Sequence, residues 1–151
     1  MKKDHDHKPT WITGKAEKVL VHKWRAAEQS ILAGAGTVRA DNPKFNVRDW
    51  SGVDPMKVII SSSGRLDDKS ALFQTNGINI VFTHNVDAKI ADADVMKLDS
   101  DNDSAVQISD FLYNSGIQSL LIEGGARASA RASRRSARPG DGRRGDRSDR
   151  A

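Results

Sequence analysis

No cysteine occurs in the 151 residues. A disulfide framework and a zinc site with thiolate ligands are therefore excluded, and the usage suits a reducing compartment. Long apolar runs are missing too, so nothing in the sequence reaches membrane-spanning length. Met1-Lys2-Lys3-Asp4 leads into further charge where a signal peptide would place its apolar segment. A soluble, cytoplasmic protein is the expectation, and the length favours one domain around a single core.

The last 25 residues lack something else. Residues 127–151 hold nine Arg and three Asp, no Lys, no aromatic, and otherwise only Ala, Ser, Gly and one Pro. With the whole chain at +4 and this tail at +6, the first 126 residues carry −2, so the basic character belongs to the tail. Such a segment has no apolar face to bury and is expected to be disordered. Arg-rich composition suggests nucleic acid, yet the missing aromatics and the three Asp disfavour that partner. Residues 1–10 are polar and expected to be disordered as well. His5-Asp6-His7 within them reads as a solvated terminus, and no metal site is expected.

What is present centres on Ser30 to Arg48, SILAGAGTVRADNPKFNVR. Ile31-Leu32-Ala33 reads as a buried strand, after which Gly34 and Gly36 mark backbone that bends or lets a ligand approach. Thr37, Asp41 and Arg48 then fall at the strand's carboxyl end, where open α/β sheets bind ligands. Asn42-Pro43 ends any helix that starts there.

Ahead of this stretch, Thr13 is a candidate N-cap for a helix running to about Ala27. Ala16, Val19, Leu20, Trp24 and Ala27 recur on one face as the expected core side. Arg25, near the helix end, is suited to complement the helix dipole. Beyond the stretch, Met56 to Ile60 and Asn79 to Thr83 read as buried strands, with a weaker one over Val95 to Leu98. Ser104 is a candidate N-cap for a helix to Asn114 that Gly116 stops. Gln118 to Ile122 forms a final strand that runs into Glu123-Gly124-Gly125-Ala126. A glycine pair there would let backbone N–H groups meet a diphosphate at a helix N-terminus. Glu123 could equally be a carboxylate stabilised by that helix dipole.

Three pieces in order, Trp11-Ile12-Thr13 with Trp24-Arg25-Ala26, then Gly34 to Arg48, then Leu121 to Ala126, resemble the reductase domain of the bifunctional riboflavin-biosynthesis deaminase/reductase. The resemblance covers residues 11–126. It implies a dihydrofolate-reductase-like α/β fold, a mostly parallel sheet flanked by helices. It also implies NADPH-dependent reduction of 5-amino-6-(5-phosphoribosylamino)uracil, a pyrimidine ribosyl phosphate, to the ribitylamino product. Carried over by position, Trp11, Thr37, Asp41, Ser62, Gly124 and Gly125 would line the NADPH site. Arg25, Phe45, Arg48 and Glu123 would face the substrate, with Arg25 and Arg48 as phosphate anchors because guanidinium donates two hydrogen bonds to one phosphate. No side chain is singled out as catalytic, since the cofactor carries the redox chemistry.

The match has departures. Phe45 stands where the family more often has Leu, Pro9 where many members have a substrate-binding Ser, and Ser61-Ser62 where Asp-Ser is usual. The family's first strand, with an Ala-x-x-x-Asp-Gly pattern, is not found ahead of residue 11, and its apolar helix is not found after Ala126. The sheet is accordingly expected to be incomplete at both ends, the tail to be unrelated sequence, and the chain to be without turnover unless a partner, for instance in a homodimer, supplies the missing edges. The deaminase half needs His-x-Glu and Pro-Cys-x-x-Cys motifs, and with no Cys that reaction is excluded. Two other readings stand beside the reductase: an inactive remnant of it, and a binding module whose tail engages nucleic acid.

Overall fold

The computed structural model describes residues 14–124. The readings on the N-terminal segment, Trp11, Thr13, Gly125 and the Arg-rich tail lie outside the described residues. In chain order the elements are α1 (Lys15–Ala27), β1 (Ser30–Gly34), α2 (Ala35–Asp41), β2 (Met56–Ile60), β3 (Asn79–Thr83), β4 (Asp94–Lys97), α3 (Ser104–Asn114) and β5 (Leu120–Ile122). Among the described residues no helix is long and apolar enough to cross a membrane.

The five strands form one sheet in the order β4-β3-β2-β1-β5, and every pairing is parallel. Parallel strands are covered on both faces, which is why their sequences are continuously apolar. Successive side chains in each strand point to opposite faces. Ile31, Ala33, Ile59 and Val81 meet Val38 and Phe45 on one side. Leu32, Val58, Ile80 and Phe82 meet Ile108 and Leu112 of α3 on the other. From β1 the chain steps outward through β2, β3 and β4, then returns to place β5 on the far side of β1. That reversal makes the carboxyl ends of β1 and β5 the topological switch point, the position whose crevice binds ligands in such sheets.

Among the buried polar residues of the strands, which include Ser30, Asn79 and Thr83, Lys57 is the charged one. It is fully buried in β2, donates from Nζ to the Asn76 carbonyl at 2.8 Å, and its ammonium is held below its ordinary pKa by desolvation, with Asp54 acting against that.

Met56 to Ile60 and Asn79 to Thr83 coincide with the strands expected from sequence. Other boundaries differ: β5 starts at Leu120, two residues after the expected Gln118. The N-cap of α1 is Gly14, whose N–H is taken by Glu17 Oε2 at 3.1 Å. The N-cap of α3 is Asp103, which accepts from the Ala105 N–H at 2.7 Å, so Ser104 is the first helical residue. The fourth strand starts at Asp94 and stops at Lys97.

The larger correction concerns the face of α1. Val19, Leu20 and Trp24, expected in the core, are 37%, 40% and 50% exposed, and Ala16 and Ala27 are exposed with them. The buried residues of the helix are His22 and Arg25, at 3% and 9%. The physical reason is a polar network: both side chains find hydrogen-bonding partners on the chain facing that edge, and satisfying them fixes the rotation of the helix.

Candidate functional site at the reversal of the sheet

The crevice is bounded by two unlike groups of residues. One begins where Arg25, in the last turn of α1, meets Glu123, the first residue after β5. Arg25 donates from Nε to Glu123 Oε1 at 2.7 Å and from Nη2 to Oε2 at 2.6 Å, joining residues 98 apart in sequence. Two parallel charge-assisted bonds of this length make a geometrically specific pair. Nη1 reaches the Asn46 carbonyl at 3.3 Å, and the guanidinium lies over the Phe45 ring, 5.7 Å from its centroid. Arg25 is thus neither a simple cap for its helix nor free to turn both prongs of its fork to a ligand. The carboxylate of Glu123 is likewise turned to Arg25.

Phe45 is buried at 1% exposure with φ at +54°, a left-handed conformation that is strained for a bulky side chain. Packing of its ring into the core beside Ile59 and Leu72 over-determines that backbone, and it turns the next residues toward α1. There His22 Nδ1 lies 3.0 Å from the Asn46 carbonyl and Nε2 lies 3.1 Å from Asp49 Oδ2. The Arg48 N–H points at the same Nδ1 from 3.4 Å. The Arg48 side chain is about half exposed and donates to Asn46 Oδ1 at 3.1 Å. Asp54 braces the segment from behind by accepting the Val47 N–H at 2.7 Å. The imidazole of His22 is held below its ordinary pKa by burial first and then by Arg48 and Arg25, against the pull of Asp49 and the Asn46 carbonyl. All four residues expected at the substrate therefore share one neighbourhood with His22, Asn46 and Asp49, which sequence reasoning missed. The 3-residue spacing of His22 and Arg25, which puts both on one helix face, was the available signal.

The second group is shaped by what is small. Gly124 has φ +70°, and a Cβ there would come within 2.8 Å of Thr37 Cγ2 and 2.9 Å of its Oγ1. Thr37 on α2 and Gly124 after β5 are thus in close approach within this group. A Cβ added at Gly34 or Gly36 would meet nothing within 4 Å. Neither glycine has a positive φ, so the expected bend does not require them; open space beside the backbone is what remains of that reading. Asp41 stands exposed one helical turn beyond Thr37. Ser62 is exposed after β2, its carbonyl bound by Thr83 Oγ1 at 3.2 Å. Beside it the Ser61 hydroxyl is buried without a hydrogen-bonding partner.

A parallel sheet that reverses strand order between β1 and β5, with an ion pair and glycine backbone beyond the strand ends, places the chain among the open α/β domains, a class in which ligands sit at the carboxyl edge. Within that class the chain belongs to the RibD C-terminal domain family, whose profile matches residues 2–136. It is 31% identical over 127 residues to riboflavin biosynthesis protein RibD of Bacillus amyloliquefaciens, which covers 77% of this chain and 34% of that protein. It is 28% identical over 134 residues to the 5-amino-6-(5-phosphoribosylamino)uracil reductase of Buchnera aphidicola, with 77% of this chain and 64% of that one covered. The deaminase/5-amino-6-(5-phosphoribosylamino)uracil reductase structure from Thermotoga maritima superposes with a TM-score of 0.75 at 33% identity, over 87% of this chain and 37% of the other. The chain spans about a third of the length of the Bacillus relative.

Proposed function

We propose that the chain is a cytoplasmic riboflavin-biosynthesis reductase module that uses NADPH to reduce 5-amino-6-(5-phosphoribosylamino)uracil to the ribitylamino product. The observation that carries this reading is the strand reversal of a parallel sheet, where a hydrogen-bonded group holding Arg25 and Arg48 lies beside open glycine backbone. The residues fit the cofactor on their own chemistry. A buried hydroxyl lacking a partner at Ser61 and backbone free of side chains at Gly34 and Gly36 are what a nucleotide laid along the strand ends would use. Thr37, Asp41, Ser62 and Gly124 would hold it, together with Trp11 and Gly125. When bound, NADPH supplies the hydride delivered to C1′ of the ring-opened ribose.

The chain's own contribution is placement and charge. Arg48, with its guanidinium half in solvent, is the group able to take the sugar phosphate. Arg25, clamped by Glu123 and stacked over Phe45, lends positive field and its Nη1 edge. Holding the reactants in contact is worth several orders of magnitude in rate, and a rigid ion-pair wall suits that task. The test is titration of NADPH against tryptophan fluorescence, followed by absorbance-monitored NADPH oxidation once the aminouracil phosphate is added. Saturable NADPH binding is the outcome that supports the reading, and substrate-dependent oxidation would extend it to turnover, against the expectation from sequence that the chain is without it. Absence of NADPH binding overturns the reading and favours the inactive remnant; a salt-sensitive shift of DNA without NADPH binding favours the nucleic-acid module.

A further inference from the structure

His22 is placed where two oxygen acceptors face its two ring nitrogens, the Asn46 carbonyl at Nδ1 and Asp49 Oδ2 at Nε2. A neutral imidazole carries one N–H and can serve only one of them: with the proton on Nε2 it donates to Asp49 while Nδ1 accepts the Arg48 N–H at 3.4 Å, and only the protonated ring donates to both oxygens. The charged groups around the ring are Arg25 on its own helix and Arg48 and Asp49 on the facing segment, with Glu123 after β5 paired to Arg25. The cations on either side oppose a third positive charge, and so does burial at 3% exposure. An anion settling against Arg48 and Arg25 would neutralise that opposition.

We propose that His22 is a positioning residue of the anion site, and that it takes up a proton as an anionic group binds between Arg25 and Arg48. The proposal rests on reading those two arginines as the anchors of the substrate's phosphate. With the anion absent, the ring is neutral and donates to only one of its two oxygen partners; the Asn46 carbonyl keeps Arg25 Nη1 as a donor at 3.3 Å and Asp49 faces Arg48 Nε at 3.8 Å, so the Asn46-to-Asp49 segment is held by one bond fewer. With the anion present, imidazolium donates to both, pinning the backbone that carries Arg48. By linkage, whatever raises the proton affinity of His22 on anion binding must raise anion affinity on protonation by the same factor.

Sulfate is the probe, because it stays a dianion from pH 5 to 8 and adds no titration of its own. In the full chain, ring resonances of the four histidines are followed across that range in chloride and in saturating sulfate at equal ionic strength. The His22 signal is assigned by its loss in His22→Gln. The expected result is a His22 midpoint about one pH unit higher in sulfate and, correspondingly, sulfate affinity up to about tenfold greater at the acid end. Arg48→Ala should abolish the midpoint shift, and His22→Gln should bind sulfate without pH dependence. Should His22→Gln fail to fold, the midpoint shift in the unaltered chain and its loss in Arg48→Ala decide the matter. A histidine with a merely structural role would titrate identically in both salts. Sulfate binding with an unmoved midpoint, or a shift that survives Arg48→Ala, overturns the proposal and leaves the anion site standing. No sulfate binding at any pH removes the anion site itself, and the proposal with it.

Discussion

The two walls of the crevice are specified in opposite ways. The wall around Arg25, Glu123, His22 and Arg48 is defined by side chains that satisfy one another, whereas the wall from Gly34 to Thr37 and at Gly124 is defined by side chains left out. A polar wall paired in this way is largely ordered before any ligand arrives, with His22 having one bond still to make, and its cost is met by folding. An open backbone wall stays under-used until a ligand supplies the missing partners. Substitutions should therefore separate the two: changes to the buried pair of the first wall should damage stability and binding together, and changes on the second should move them independently.

The largest effect should come from Glu123→Ala. It strips both charge-assisted bonds from Arg25, which is 9% exposed, and an unpaired charge left behind costs about 3 kcal/mol by the measure of other broken buried pairs. Urea denaturation of the variant against the unaltered chain checks this; a change under about 1 kcal/mol, within the range of exposed ion pairs, would show the pair to be ornamental. Arg48→Ala makes the internal contrast. Its side chain is half exposed, so stability should hardly change while anion binding falls by about 1.5 kcal/mol, the low end for hydrogen bonds to charged groups.

Gly124→Ala comes next. A residue other than glycine at φ +70° costs about 1–2 kcal/mol, and the new methyl would also collide with Thr37. In a double-mutant cycle, Thr37→Ala should relieve the collision and leave the backbone cost, giving a coupling of about 0.5 kcal/mol or more. Strict additivity by thermal or urea denaturation would mean that Thr37 and Gly124 do not touch.

A milder effect follows from His22. Its folded-state pKa lies below the ordinary value, so the unfolded chain binds the more protons and stability rises with pH through the region just below 6.5. Acidification through that window should cost stability, and His22→Gln should lose this component. Denaturation midpoints at pH 5 and 7 for both chains test it; equal pH slopes would remove His22 from the account.

How much of this was legible in the sequence depends on which wall is considered. β2 and β3 could be bounded from Met56-Lys57-Val58-Ile59-Ile60 and Asn79 to Thr83 because fully covered parallel strands are short apolar runs. Gly34, Gly36 and Gly124 could be picked out because glycine has few other reasons to cluster at strand ends. The polar wall was half visible. Arg25, Arg48, Phe45 and Glu123 were reached through resemblance, but hydropathy turned α1 the wrong way, toward Val19, Leu20 and Trp24. A periodicity scale scores Arg and His as solvent-facing, and it cannot register that Glu123, far along the chain, and the Asn46 carbonyl would satisfy them. His22 was missed for the same reason: its partners are a backbone oxygen and a carboxylate on a loop with no regular pattern.

The smallest expected effect is the most discriminating. Gly36 lies inside α2, has no positive φ, and faces open space. Glycine within a helix is less favourable than alanine by about 0.5–1 kcal/mol, and here alanine would meet neither strain nor collision, so Gly36→Ala should raise the denaturation midpoint. If the glycine wall is where a nucleotide's backbone-facing edge lies, the same methyl occupies the approach path and NADPH affinity should fall. Stability up with binding down is a combination that packing alone does not produce, because a residue kept only for the fold would lose stability when changed. Gain in both would place the nucleotide away from α2, and the open space beside Gly36 would then be ordinary surface.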